Sequence, residues 1–192
     1  MDYDVDPHVT DDLSNWISQA AFEVPITPVT STWIEHTPFA LWLMDALRPR
    51  LFVELGTLHG VSYFTFCQGS ARNGGTTRCF AVDTWQGDEH TGSYGEDVWD
   101  HVTLFNSVRF SAFSTLLRRS FDEAAVLFED GSIDLLHIDG LHTYEAVRHD
   151  FETWQPKLAP HGVVLLHDSN VHERNFGVAR LVARVNQFER IC

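Results

Sequence analysis

Short apolar runs alternate along this chain with segments whose apolar residues recur at helical spacing, the alternation expected of a parallel sheet wrapped by helices. Five runs read as strands: Leu51 to Leu55, Arg78 to Val82, Phe113 to Leu117, Ile133 to Ile138 and Val163 to Leu166. Before them, Leu13, Trp16, Ile17 and Ala20 follow the acidic pair Asp11-Asp12, as a short helix would. Pro25 and Pro28 interrupt that pattern. Thr37-Pro38 then reads as the N-cap and first position of a helix carrying Phe39, Leu41, Trp42, Leu43 and Leu47, closed by Pro49. Another helix opens after Gly60 with Val61, Phe64 and Cys67, and Ser120 with Glu123 forms a capping box for a third through Ala124, Ala125 and Phe128. Tyr144, Val147, Phe151, Trp154 and Leu158 share one helix face, with Glu145, Arg148, His149 and Glu152 opposite. Val178, Leu181, Val182, Val185 and Phe188 repeat the pattern in a last helix. The pattern predicts an α/β domain over residues 31–192, preceded by a helical extension over residues 1–30.

At 192 residues and 44% hydrophobic content the chain has material for one core and no room for a second full domain. Its formal charge of −14, from 27 acidic against 13 basic residues, repels nucleic-acid phosphates and anionic membrane faces, so small-molecule or cationic partners are favoured. The start, Met1 to Asp6, is acidic where a secretory signal is basic and then apolar, and no run is long enough to span a bilayer. The expected compartment is the cytoplasm. Cys67, Cys79 and Cys192 form an odd set without a C-x-x-C pair, which fits reduced thiols better than disulfides or zinc.

Chemistry in such a sheet belongs at the carboxyl ends of the strands. Glu54, Asp83, Asp139 and Asp168 all lie at or just beyond those ends and converge on one rim. Gly56 and Gly60 bracket the first strand-to-helix turn, where glycine tolerates positive φ and admits a ligand close to the backbone. The turn lacks the G-x-G-x-x-G spacing of a dinucleotide fingerprint, and Glu54 beside it would repel a pyrophosphate, which argues against a nicotinamide dehydrogenase. S-adenosylmethionine, with an ammonium, a sulfonium and a carboxylate, matches an acid plus free helix N–H groups better. Asp83 is placed to accept from ribose hydroxyls and Trp85 to lie against adenine, and Thr57, Ser62 and Thr84 complete the candidate cofactor set. No H-E-x-x-H spacing organises the histidines, so a zinc hydrolase is disfavoured.

The stretches Trp33 to Phe39, Val53 to Tyr63, Ala81 to His90, Ile133 to Tyr144 and Leu166 to Asn170 resemble, in this order, bacterial class I methyltransferases of the kind found with glycosyltransferases. The resemblance runs from about Ser31 to about Arg180 and implies the Rossmann-like methyltransferase fold, a mostly parallel sheet flanked by helices. It also implies methyl transfer to a hydroxyl of a sugar or glycosylated small molecule, as in metal-dependent sugar O-methyltransferases. Members of this class usually continue into two further strands that close the sheet as an antiparallel edge. Almost nothing follows Phe188 here, so those two strands are expected to be missing. A second copy or a partner chain is then expected to cover the sheet edge, and a catalytically silent cofactor-binding domain stands as the alternative to an active enzyme.

For the reaction itself, Asp139 and Asp168 offer hard oxygen ligands for one divalent ion, magnesium or manganese, and His142 or His167 can take the hydroxyl proton as general base. Plain structural readings stand beside these. Asp139-Gly140 could merely turn the chain, His142 could cap the next helix, and Asp168 could hold an Asx-turn over Ser169-Asn170. His167 could be a packed core histidine, and Trp33, His36 and Trp85 core or lid aromatics.

Overall fold

The fold is that of a computed structural model, described here for residues 17–173 and 175–188. The central strand β1 (Leu51–Leu55) is buried except at its first residue, as a strand covered on both faces must be. β2 (Arg78–Asp83) pairs with one side of it, and β5 (Ser114–Arg118) with β2. On the other side come β6 (Ile133–Ile138) and then β7 (Leu158–Leu166), giving the order β5-β2-β1-β6-β7 with every pair parallel. β3 (Gly87–Asp88) and β4 (Gly92–Ser93) form a separate small hairpin. The chain thus moves outward from β1 in one direction and then starts again on the other side. That reversal opens a crevice beyond the carboxyl ends of β1 and β6.

Alternation along β1 sends Phe52 to one core layer and Val53 and Leu55 to the other. The first layer lies under α1 (Thr37–Leu47), α2 (Val61–Arg72) and α3 (Glu96–Arg109), which contribute Met44, Phe64, Phe66 and Val102. The second lies under α4 (Phe121–Ala125), α5 (Tyr144–Trp154) and α6 (Val178–Phe188), with Ala124, Val147, Trp154 and Leu181. No helix among the described residues is long and apolar enough to cross a membrane.

Several elements differ from the sequence pattern. The first half of the predicted helix, Leu13 to Trp16, lies outside the described residues, and its last positions run into a 3-10 turn at Gln19–Phe22. The described part of the predicted extension packs on the domain body: the Gln68 side chain of α2 accepts from the Ile26 N–H at 2.7 Å and donates to the Val24 carbonyl at 3.0 Å. Thr37 is the first residue of α1 and not its cap, its hydroxyl donating to the Ile34 carbonyl at 2.8 Å. The capping box at Ser120 and Glu123 forms in full. β7 starts five residues earlier than its apolar run, with Pro160 inside it and a register shift opposite Ile133 and Leu135. An outer strand tolerates that proline because only one of its sides is paired. No strand follows β7 among the described residues, so it is the sheet's edge there.

Candidate functional site

The turn after β1 is held from below by a single carboxylate. Asp83 Oδ2 accepts from the backbone N–H groups of Thr57 at 2.8 Å and Leu58 at 3.0 Å, and its Oδ1 accepts from that of Trp85 at 2.8 Å. Trp85 is buried and its indole N–H donates to the Leu58 carbonyl at 2.9 Å. The structure therefore turns Trp85 into the core, where its ring meets Trp99, and not onto a ligand face. Gly56 and Gly60 have φ of +83° and +80°, and a Cβ on Gly56 would lie 2.1 Å from the Asp139 carbonyl oxygen. Only glycine lets β1 and β6 close together at this end.

Glu54 also faces inward. It is fully buried, accepts from the Thr57 hydroxyl at 3.1 Å, and places Oε2 2.8 Å from His137 Nδ1 on the neighbouring strand. Its sequence-predicted contact with a ligand ammonium is thus replaced by a support role beneath the turn. Gly56, Thr57, Gly60, Ser62, Asp83 and Thr84 all line a cavity of about 450 Å³, together with Asp139, Gly140 and His142. That size suits a cofactor-scale ligand.

A second, larger cavity of about 1160 Å³ opens on the β7 side, with Trp33, His36, Phe39, His137, His167, Asp168 and Asn170 in its wall. Trp33 borders both cavities. Between them Asp139 and His142 face the smaller space while His167 and Asp168 face the larger, and the four side chains meet. His142 Nε2 is 3.4 Å from Asp139 and 3.5 Å from Asp168, and His167 Nδ1 is 3.0 Å and 3.5 Å from the same two residues. Thr143 and not His142 caps α5, its hydroxyl accepting from the Ala146 N–H at 3.3 Å. His142 is instead clamped from outside: Phe176 stacks on its ring at 4.8 Å, and the Gly177 N–H donates to its carbonyl at 2.8 Å. Neither Phe176 nor His137 stands out in the sequence. The cue available for His137 is a polar residue at a core position of a central strand.

Comparison with known proteins decides what kind of domain this is. A sequence family described as a methyltransferase domain matches residues 53–169, which span the chain from β1 to the turn after β7. The chain belongs to this methyltransferase family. An uncharacterised protein, y4gI, of Sinorhizobium fredii (strain NBRC 101917 / NGR234) is 55% identical over 148 residues, which are 77% of this chain but 16% of that much longer protein. Among solved structures, cofactor-bound Rv0187 from MTB superposes with a TM-score of 0.60 at 17% identity, covering 95% of this chain and 77% of the other. The S-adenosylhomocysteine-bound methyltransferase PaMTH1 of Podospora anserina gives 0.57 at 13% identity, covering 88% and 73%. The O-methyltransferase TomG of Streptomyces achromogenes, solved with S-adenosylmethionine, gives 0.57 at 13% identity, covering 94% and 83%. At these identities the likeness concerns the fold.

The electrostatics of the methyltransferase site follow from burial and pairing. Burial pushes the Glu54 carboxyl above its usual range, against the opposing pull of His137. Burial opposes ionisation of Asp139 too, but His142 and His167 outweigh it and hold that carboxyl well below the usual range. Burial would lower the His167 imidazole, yet the adjoining Asp139 carboxylate raises it overall. Two neighbouring acids therefore differ in charge preference: Asp139 is the anionic one at the cavity junction, and Glu54 lies behind it.

Proposed function

We propose that this methyltransferase domain moves the S-methyl group of S-adenosylmethionine to a hydroxyl of a small, glycosyl-bearing acceptor, with the cofactor in the smaller cavity and the acceptor in the larger. The observation that carries this reading is the meeting of the two cavities at Asp139, His142, His167 and Asp168. The smaller cavity fits the cofactor. A glycine-lined turn gives close backbone approach, and Asp83 uses three of a carboxylate's roughly four acceptor directions internally, leaving one for a ribose hydroxyl. Thr84 and Ser62 add hydroxyls on the same wall. Trp33 and Phe39 beside Asp168 and Asn170 combine aromatic faces and polar groups, a lining suited to a sugar.

Bound S-adenosylmethionine would supply an electrophilic methyl on sulfur, and a divalent cation at Asp139 and Asp168 would lower the pKa of an acceptor hydroxyl. The chain's own part is to align hydroxyl and methyl in line at the junction, which is worth several kcal/mol when the reacting atoms are about 3–3.5 Å apart. Where no cation is bound, a free nitrogen on His142 or His167 takes the hydroxyl proton. The outer edge of β7, on which no other strand pairs among the described residues, is the surface where this reading places a second copy or a partner chain. Sedimentation at micromolar concentration tests that part, and a strictly monomeric, fully active chain would overturn it. For the activity, S-adenosylhomocysteine release is followed over a panel of glycosides and simple alcohols, beside calorimetric titration with S-adenosylmethionine and NAD. Binding of the former alone, with methylated glycoside formed, is expected. NAD binding, or cofactor binding with no methyl transfer to any acceptor, would overturn it.

A further inference from the structure

The four side chains at the cavity junction are arranged for a particular class of ion. Asp139 Oδ1, His142 Nε2 and His167 Nδ1 offer one donor atom each, all within 4.8 Å of one another. Hydrogen bonding does not account for their approach. His142 Nε2 and His167 Nδ1 are both buried and neither has a hydrogen-bond partner. None of the contacts at 3.4, 3.5, 3.0 and 3.5 Å is a hydrogen bond. Two buried nitrogens left in this way call for something that both can face.

The separations have another meaning. Donors held ~2.1 Å from a common centre stand about 3.0 Å apart at right angles and about 3.4 Å apart at the tetrahedral angle. The observed values of 3.0, 3.4, 3.5 and 3.5 Å fall on those edges. Distance alone admits magnesium, but magnesium takes oxygen donors and dehydrates reluctantly, whereas imidazole suits iron, nickel, copper and zinc. The Phe176 stack and the Gly177 N–H, which donates to the His142 backbone carbonyl, hold this residue in place.

We propose that Asp139, His142 and His167, with Asp168 as an additional carboxylate, form a site for an imidazole-seeking divalent transition ion in preference to magnesium. This inference rests on the cation position named under Proposed function and changes the ion expected there. A nitrogen that holds such an ion has no lone pair left for a proton. Ion binding and proton acceptance at His142 and His167 therefore exclude each other.

The test uses the full chain, stripped with EDTA and dialysed, then titrated with Co²⁺ or Mg²⁺ while visible absorption and heat are recorded. One Co²⁺ per chain is expected, at least a hundredfold tighter than Mg²⁺. His142→Ala and His167→Ala should each weaken Co²⁺ at least tenfold, and His149→Ala, on the exposed face of α5, should not. S-adenosylhomocysteine titration in EDTA reports in each variant whether the cofactor cavity persists. Equal Co²⁺ and Mg²⁺ affinity, or Co²⁺ binding untouched by both histidine substitutions in chains that still bind S-adenosylhomocysteine, would overturn the inference. A chain that binds Co²⁺ as described yet transfers no methyl group would count against the proposed function alone.

Discussion

Gly56 and Gly74 share a backbone conformation and differ in their surroundings, which isolates the demands of the turn after β1. Both have φ of +83°, but a Cβ at Gly56 would lie 2.1 Å from the Asp139 carbonyl oxygen and 2.7 Å from its carbon, whereas nothing lies within 4 Å at Gly74. Alanine at either position costs about 1–2 kcal/mol for the left-handed conformation, which lowers Tm by roughly 2–8 °C in a chain of this size. At Gly56 the Asp139 carbonyl must also retreat by more than about 1 Å to restore an ordinary contact. Asp139 donates its N–H to the Leu55 carbonyl at 2.8 Å, so that retreat strains the last bond between β1 and β6. Losing it adds about 1–3 kcal/mol. The same movement carries Asp139 away from His142 and His167 and reshapes the smaller cavity that it lines. Gly74→Ala should therefore lose a few degrees of Tm and keep its affinity for S-adenosylhomocysteine. Gly56→Ala should lose about twice as much Tm and at least tenfold in affinity, measured by scanning fluorimetry and calorimetry. Equal Tm losses, or a Gly56→Ala chain binding within about threefold of wild type, would refute the reasoning.

Asp83→Ala removes three charge-assisted hydrogen bonds to backbone N–H groups and should cost S-adenosylmethionine affinity roughly tenfold to hundredfold by calorimetry, an unchanged value counting against the assignment. Glu54→Gln keeps acceptors or donors for Thr57 and His137 and should bind the cofactor as wild type does, while Glu54→Ala leaves both partners unpaired and should lose about 2–5 kcal/mol in urea denaturation. A large affinity loss in Glu54→Gln would mean that the Glu54 charge touches the cofactor after all. Burial pushes the Asp150 carboxyl from near 3.8 up to about 7, with His149 opposing and Asp122 adding. The folded chain then holds this proton more tightly than the unfolded one, so the associated stability is full below pH 3.8 and lost as pH rises to about 7. Asp150→Asn should gain on wild type between about pH 5 and pH 8 by roughly 1–3 kcal/mol, and Tm shifts that run parallel at the two pH values would exclude this.

The strands were legible where burial on both faces left a short run dominated by apolar residues, as in β1 and β6, even with Glu54 and His137 inside them. The helix α3 was not, because Val98 and Val102 point inward while Leu104 and Val108 are exposed, so apolar residues circle it and blur its period. β7 was read short because Leu158 completes an apolar face with α5 and Pro160 and Gly162 look like a loop, whereas an edge strand accommodates both. At the site, the acids were visible because each lies at or just beyond the end of a strand. Their partners were not, since Glu54 meets His137 only through the register of β1 against β6, in which those two residues stand opposite. Trp85 was misplaced for a related reason: its φ of +52° sends the ring back under the turn, a conformation that no local pattern announces.

Backbone strain among the described residues gathers around the candidate site. Four residues other than glycine have positive φ, and three of them, Leu58, Trp85 and Asp168, stand just beyond β1, β2 and β7. Each such residue costs on the order of 1–3 kcal/mol unless its surroundings impose it. Here the surroundings are identifiable. Asp83 accepts from the N–H groups of both Leu58 and Trp85, and the Trp85 indole returns a bond to the Leu58 carbonyl, so two strained residues are held by one carboxylate and by each other. The Leu58 conformation shapes the turn that lines the smaller cavity, and Asp168 borders the larger. A loop shaped by strain has few alternative arrangements of comparable energy, and that narrowness is what in-line transfer requires of the groups that align a hydroxyl with a methyl. The buried network under the turn therefore bears on rate as well as stability. Glu54 and Trp85 act through the backbone they fix, whereas Asp83 and His137 border the two cavities as well as holding the network together.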